Sequence, residues 1–219
     1  MIAAFRKAPC WRLVATQHPG ADIFQGLTDF GEWEELYEVE SLTNERLRPH
    51  AGNLSSVPRE RRGYGPGSAY IMAPFAYRAP GRFGDGSFGV LYAALDEPTA
   101  LAEAAFHRAR FLRSTGSPRE IAAYQVLTLK LTGELEDIRL LLRSELYDPD
   151  PSRYGPAQVF AAQVRDLDGD GIVYASVRRL GGGCVAGFRP DRFSECRHAR
   201  LLQFYWDGAR LAGPEGSYA

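Results

Sequence analysis

The sequence predicts an α+β fold with a compact β core, mixed or antiparallel, carrying a few helices. Short apolar runs with β-branched and aromatic residues recur along the chain, set apart by Gly, Pro, Asn and Asp. Only a few stretches space their apolar residues at helical intervals, and many short strands with few helices indicate α+β rather than a regular βαβ array. At 219 residues, 45% hydrophobic and 24% charged, the chain suits a single domain, 1–219, able to bury most of its apolar surface.

Taken in order, residues 11–15 form a first strand, and Phe30, Trp33 and Tyr37 lie at the spacing of a short amphipathic helix. A long loop or insertion is expected at about 41–80. Its middle, 53–67 (NLSSVPRERRGYGPG), is dense in turn formers and has no period, as a functional loop or a mobile linker would be. Residues 89–95 (GVLYAAL) read as a buried strand running into Asp96-Glu97-Pro98, where carboxylates and a proline suit a first helical turn. The helix over 99–113 is rich in Ala and Leu and ends in basic residues that complement its C-terminal dipole. Residues 124–131 alternate, with Gln125, Leu127, Leu129 and Leu131 on one face and Lys130 on the other. A helix follows over 156–166, then strands over 171–178 and 184–188. A hairpin over 201–211 closes the series, with Asp207-Gly208 as a type I′ turn. No internal repeat is present.

Composition excludes several functions. A formal net charge of −1 argues against general binding of nucleic acid, whose phosphates need neutralising cations. The apolar runs fall short of the roughly 18 residues of a membrane span, and residues 1–15 lack the apolar segment of a signal peptide. Cys10, Cys184 and Cys196 are widely spaced without a CxxC, so reduced thiols and a cytoplasmic setting are expected. The histidines are scattered: His107 follows Glu103 by one helical turn, but no third ligand is indicated, and no metal is expected. Charge is uneven, with seven carboxylates and no Lys or Arg over 22–40 and seven arginines over 46–82.

Two motifs mislead. Gly84, Gly86 and Gly89 spell GxGxxG, but they precede a strand, whereas a dinucleotide fingerprint must lead into a helix whose N-terminus meets the pyrophosphate. They are read as a flexible turn. Asp166, Asp168, Asp170 and Gly171 open like a calcium loop, yet Val177 stands where a bidentate Glu is required. That stretch is read as an acidic turn between helix and strand.

Polar residues in apolar settings remain. Arg12 lies between Trp11 and Leu13, where a guanidinium must find an anionic or carbonyl partner. Glu103 sits among alanines on its helix, and Ser176 shares a strand face with Tyr174 and Arg178. Each has a plain alternative: a structural ion pair for Arg12, a solvated helix position for Glu103, an ordinary strand serine for Ser176.

Residues 81–107 (GRFGDGSFGVLYAALDEPTALAEAAFH) resemble the core signature of the RES toxins, in which Gly-Arg-aromatic leads to a Leu-Tyr strand and a Thr-Ala-x-x-Glu helix. Residues 154–178 (YGPAQVFAAQVRDLDGDGIVYASVR) resemble that family's second block, ending in Gly-Ile-x-x-x-Ser. Residues 184–190 (CVAGFRP) and Tyr205-Trp206-Asp207-Gly208 look like its C-terminal strands, and Trp11-Arg12 like its N-terminal Arg-bearing strand. The likeness spans most of the chain apart from about 20–80, and it supplies the family's Arg, Glu and Ser in order as Arg12, Glu103 and Ser176.

The resemblance implies an ADP-ribosyltransferase-like fold, NAD+ as substrate, and membership of a toxin–antitoxin pair whose helical Xre-type antitoxin blocks the active site. By analogy with that fold, Glu103 would stabilise the oxocarbenium-like transition state. Arg12 and Arg82 would hold the diphosphate or the ribose-proximal phosphate, and Tyr92 would stack on nicotinamide, unless it is simply a core tyrosine. Ser176 would orient Glu103 or bond the nicotinamide side. The acceptor separates three reactions. Transfer to a protein is favoured by the arginine-rich segment 46–82 as a docking surface, while water or phosphate would make the chain an NAD+ glycohydrolase or phosphorylase. A non-catalytic binding module keeping the fold is the alternative of a different class.

Overall fold

The computed structural model describes residues 1–15, 57–76, 78–141, 143–214 and 216–218. In chain order the elements are β1 (Ile2–Ala15), α1 (Ser68–Ala76), β2 (Leu91–Ala94), α2 (Glu97–Ser114), β3 (Glu120–Asp137) and α3 (Gly155–Asp166). They are followed by β4 (Gly171–Ala175), β5 (Gly183–Gly187), β6 (Phe193–Trp206), β7 (Leu211–Gly213) and β8 (Gly216–Tyr218).

The strands form one eight-stranded sheet in the order β1-β2-β5-β4-β3-β6-β7-β8. Because β1 also pairs with β3, the first five of these close on themselves and leave β6 to β8 as an extension from β3. Closure satisfies the backbone groups that open edges would expose. The parallel pair, β3 with β4 through Glu136↔Ile172 and Asp137↔Val173, is spanned by α3, as a parallel connection requires a crossover. The other pairings are antiparallel, so the α+β class with a mixed core is observed.

β3 is buried on both faces. Ala122, Tyr124 and Val126 pack beneath α2 with Leu101, Ala105 and Phe204, whereas Leu127, Leu129, Leu131 and Leu135 pack on the side of Met72 and Phe75 from α1. The alternation expected over 124–131 therefore fails at Tyr124 to Leu127, which are all buried, because helices cover the strand from two sides.

α2 begins at Asp96, whose carboxylate accepts from Thr99 N at 2.8 Å and satisfies an orphan donor of the first turn. Leu101, Ala105, Ala109 and Leu112 form its core stripe. The small alanines let the helix lie close to the sheet, and a neighbouring stripe, Ala100, Glu103, Ala104 and His107, faces a cleft.

Other expectations need correction. The strand expected over 11–15 starts at Ile2, and β3 runs well beyond 124–131 at both ends. The loop expected over 41–80 contains the buried helix α1, whose pattern is masked by its shortness and by Pro74 inside it. The helix at 30–37 lies outside the described residues. β4 ends at Ala175, so Ser176 belongs to the following turn and shares no strand face with Arg178. Trp206 pairs with Leu211, giving a four-residue loop instead of a two-residue turn at Asp207-Gly208. Asp207 there accepts from Ala209 N and Arg210 N, and Gly208 has positive φ (103°) while Asp207 does not.

Candidate functional site

A cleft of about 510 Å³ opens between β1, β2, β4, β5 and α2, within the size range of small-molecule sites. Of the residues singled out in the sequence, Arg12, Arg82, Tyr92 and Glu103 line it. Ser176 stands behind Glu103.

Arg12 comes from β1, where pairing to β3 on one side and β2 on the other holds its backbone. Its Nη1 donates to Tyr92 O at 3.4 Å, and its enclosed Nε has no hydrogen-bond partner. Burial pushes the guanidinium down to about 10, with Cys196 opposing. Arg82 is fixed more firmly: Nη1 donates to Leu146 O at 3.0 Å and Nη2 to the Tyr154 hydroxyl at 3.3 Å. Its guanidinium also lies 4.4 Å from the Tyr154 ring centroid. Among the described residues, neither arginine has a carboxylate within salt-bridge distance.

Tyr92, from β2, accepts a hydrogen bond from Phe83 N at 2.8 Å. Its ring fills the space above Gly81, where a Cβ would come within 2.7 Å of the hydroxyl, so glycine is required for this approach. Burial raises its pKa, and the tyrosine stays neutral.

Glu103 Oε1 accepts from Ser176 Oγ at 2.6 Å, and Cys184 Sγ lies 3.7 Å from the same oxygen. Ser176 Oγ also accepts from Arg178 N and Arg179 N, both at 3.1 Å. With its acceptor side engaged by two N–H groups, the hydroxyl directs its single proton to Glu103. Ser176 N donates to Gly182 O at 2.8 Å, which anchors the turn. Among the described residues Glu103 has no cationic salt-bridge partner. Among the described residues, two guanidiniums and one carboxylate thus face one cleft without ion-pair neutralisation.

The sequence reading missed Tyr154, Tyr174, Cys184 and His107 as lining residues. The signal for Tyr174 was its place two residues before Ser176 at the end of a buried strand, and for His107 its helical offset from Glu103. Burial raises the pKa of Tyr174 and of Cys184, so Cys184 is a protonated thiol and a poor nucleophile. Burial lowers that of His107, opposed by Glu103 and reinforced by Arg178, Arg110 and Arg82.

The GxGxxG glycines build a tight loop and no helix entry: Gly81 N donates to Gly84 O at 2.7 Å, and Gly89 packs against the end of α1. The acidic stretch forms ion pairs, Asp168 with Arg61 (3.0 Å) and Asp170 with Arg192 (2.7 Å).

The RES domain family model matches residues 59–207, which include Arg82, Tyr92, Glu103 and Ser176 and leave Arg12 outside. The chain is 28% identical over 206 residues to the uncharacterized protein y4oC of Sinorhizobium fredii (strain NBRC 101917 / NGR234), covering 92% of this chain and 84% of that protein. It is also similar to a chain in the crystal structure of the M. tuberculosis MbcT–MbcA toxin–antitoxin complex, with 12% identity and a TM-score of 0.43, covering 91% of this chain and 85% of that one.

Proposed function

The chain belongs to the RES domain family, and from that premise we propose that its cleft binds NAD+ and breaks the bond between nicotinamide and ribose. The observation that carries this reading is the set of charges around the cleft. Among the described residues, Arg12 and Arg82 face it without carboxylate partners, and Glu103 faces it without a cation. Buried charges left in this state are costly, and a ligand that is anionic at one part and develops positive charge at another offsets both.

NAD+ has that character. Its diphosphate suits two guanidinium forks. Loss of nicotinamide leaves positive charge on the ribose, and a pre-oriented carboxylate lowers the barrier by stabilising that charge. Ser176 fixes the Glu103 carboxylate by its 2.6 Å hydrogen bond, so little reorganisation is needed during bond breaking. Tyr92, tied by its hydroxyl to Phe83 N, offers its ring as a fixed wall for the nicotinamide.

For the acceptor, three of the described arginines of segment 46–82 are engaged within the chain, while Arg59 is exposed. Arg61 pairs with Asp168, Arg78 donates to Ser87 O, and Arg82 is buried in the cleft. This supports a small acceptor, water or phosphate, over the protein acceptor expected from the sequence. The biological reading carried by the family resemblance is a cytoplasmic toxin restrained by a helical Xre-type antitoxin seated over the cleft.

The test is direct. Purified protein is incubated with NAD+, and nicotinamide is quantified together with the fate of labelled ADP-ribose. Free ADP-ribose or its 1″-phosphate is the expected product, discrete labelled protein bands would restore the protein-acceptor reading, and absence of nicotinamide release would leave a binding module. Expression of the chain alone should arrest growth, and a cognate antitoxin should relieve it.

A further inference from the structure

Cys184 sits in the sheet wall of the cleft. On β5 it pairs with Ala94 of β2 on one side and Tyr174 of β4 on the other, so two ladders hold its backbone. The residue is 2% exposed and lines the cleft, and its Sγ lies 3.7 Å from Glu103 Oε1. We propose that Cys184 is a positioning residue: its thiol donates a second hydrogen bond to Glu103 Oε1, beside that of Ser176, and leaves Oε2 to meet the substrate. The proposal rests on the reading of the cleft as the place where nicotinamide leaves ribose.

A neutral thiol carries one proton and places it on an acceptor. Burial raises the pKa of Cys184 and the Glu103 charge adds to the rise, while the hydroxyls of Ser176 and Tyr174 oppose it. The thiol therefore keeps its proton across the neutral range. Its hydrogen bond to Glu103 raises the pKa as well, the sign expected when the protonated sulfur is the donor and the carboxylate the acceptor. A thiolate in the same place would set two negative charges against each other.

The carboxylate gives this bond a task. The last torsion of a glutamate is broad, so a single donor leaves the group free to turn about it. Here two donors come from different elements, Ser176 on the turn after β4 and Cys184 within β5. Both end on Oε1, and among the described residues Oε2 has no hydrogen-bond partner. Oε2 is then the oxygen open to a ribose hydroxyl or to the positive charge that develops on the ribose. A strand holds a side chain in place more precisely than a loop does, so the thiol steadies what the turn serine begins. Being a weak donor, it does so without drawing much charge from the group that must act.

Nicotinamide release is measured on the parent, on Cys184→Ala, which removes the donor, and on Cys184→Ser, which keeps one. Cys184→Ala should lower kcat about tenfold with KM within about twofold of the parent, and Cys184→Ser should recover most of that loss. A role in packing alone predicts the opposite order, since alanine suits an apolar wall better than serine. The infrared S–H stretching band of Cys184, assigned by its absence from either variant, reads the bond without turnover. Glu103→Gln should shift that band and leave those of Cys10 and Cys196 in place. The proposal is overturned by parental kcat in Cys184→Ala, by Cys184→Ser falling as low as Cys184→Ala, or by a Cys184 band indifferent to Glu103→Gln. If Cys184→Ser does not fold, Cys184→Ala and the band decide. A parent that releases no nicotinamide overturns the reading of the cleft instead, and the band then still upholds or removes the thiol–carboxylate bond.

Discussion

Ser176 Oγ stands 2.6 Å from Glu103 Oε1 and sends its proton there, because Arg178 N and Arg179 N occupy its acceptor side. One hydroxyl therefore joins the turn after β4 to the helix bearing the carboxylate. Ser176→Ala should lower kcat for nicotinamide release by about 100-fold with KM changed little, since the lost bond orients a group that acts in the transition state. It should also cost about 1–2 kcal/mol of stability, because two backbone donors lose their acceptor. Steady-state kinetics and urea unfolding check both parts. A stability loss with kcat unchanged would reduce Ser176 to a turn residue.

Glu103→Gln keeps the side-chain size and removes the charge. Nicotinamide release should fall by at least about 100-fold, the scale of losing one pre-organised electrostatic contact, while the circular dichroism spectrum stays that of the parent. Activity within threefold of the parent would remove Glu103 from the chemistry.

Arg12→Lys tests burial through pH. The native guanidinium, pushed down to about 10, stays charged across the neutral range. The same burial acting on a lysine, whose ordinary value is about 10.4, would lower it toward the neutral range. Affinity of the Lys variant for a slowly cleaved NAD+ analogue should fall as pH rises from 7 to 9, while the parent stays level. A flat profile with near-parental affinity would make Arg12 a replaceable electrostatic anchor.

His107 should leave its mark on acid stability. Its folded pKa lies below the ordinary value of 6.5, so the unfolded chain binds more protons as pH falls through that value. The contribution of neutral His107 is present in full above pH 6.5 and declines below it. His107→Gln should flatten the dependence of unfolding free energy on pH between 5 and 7. An unchanged slope, or an imidazole NMR midpoint above 6.5, would contradict this.

The fold class and several of the residues that meet at the cleft were legible in the sequence because they rest on short-range signals. Asp96-Glu97-Pro98 marks a helix start by cap chemistry alone, and the cap is observed at Asp96. Arg12 was conspicuous as a charge in an apolar strand, and Glu103 as a charge among alanines. Ser176 hydrogen-bonds Glu103 but is not the strand residue expected, since its turn is set by contacts from Arg178, Arg179 and Gly182. The helix α1 escaped notice because Ile71, Met72 and Phe75 are buried by β6 and β2, neighbours that no local pattern reveals.

What the sequence determined by itself is most of the elements and the residue types that can carry charge-driven chemistry, because periodicity, capping and turn propensity act over a few residues. Which of those residues meet was decided by the tertiary structure. Ser176 and Glu103 lie 73 positions apart, and Arg12 and Tyr92 80 apart. They come together because β1 pairs with both β2 and β3 and closes the sheet. Closure is a collective property of strand pairing, satisfied only when distant ladders complete one another, and it sets which charges face a common cleft.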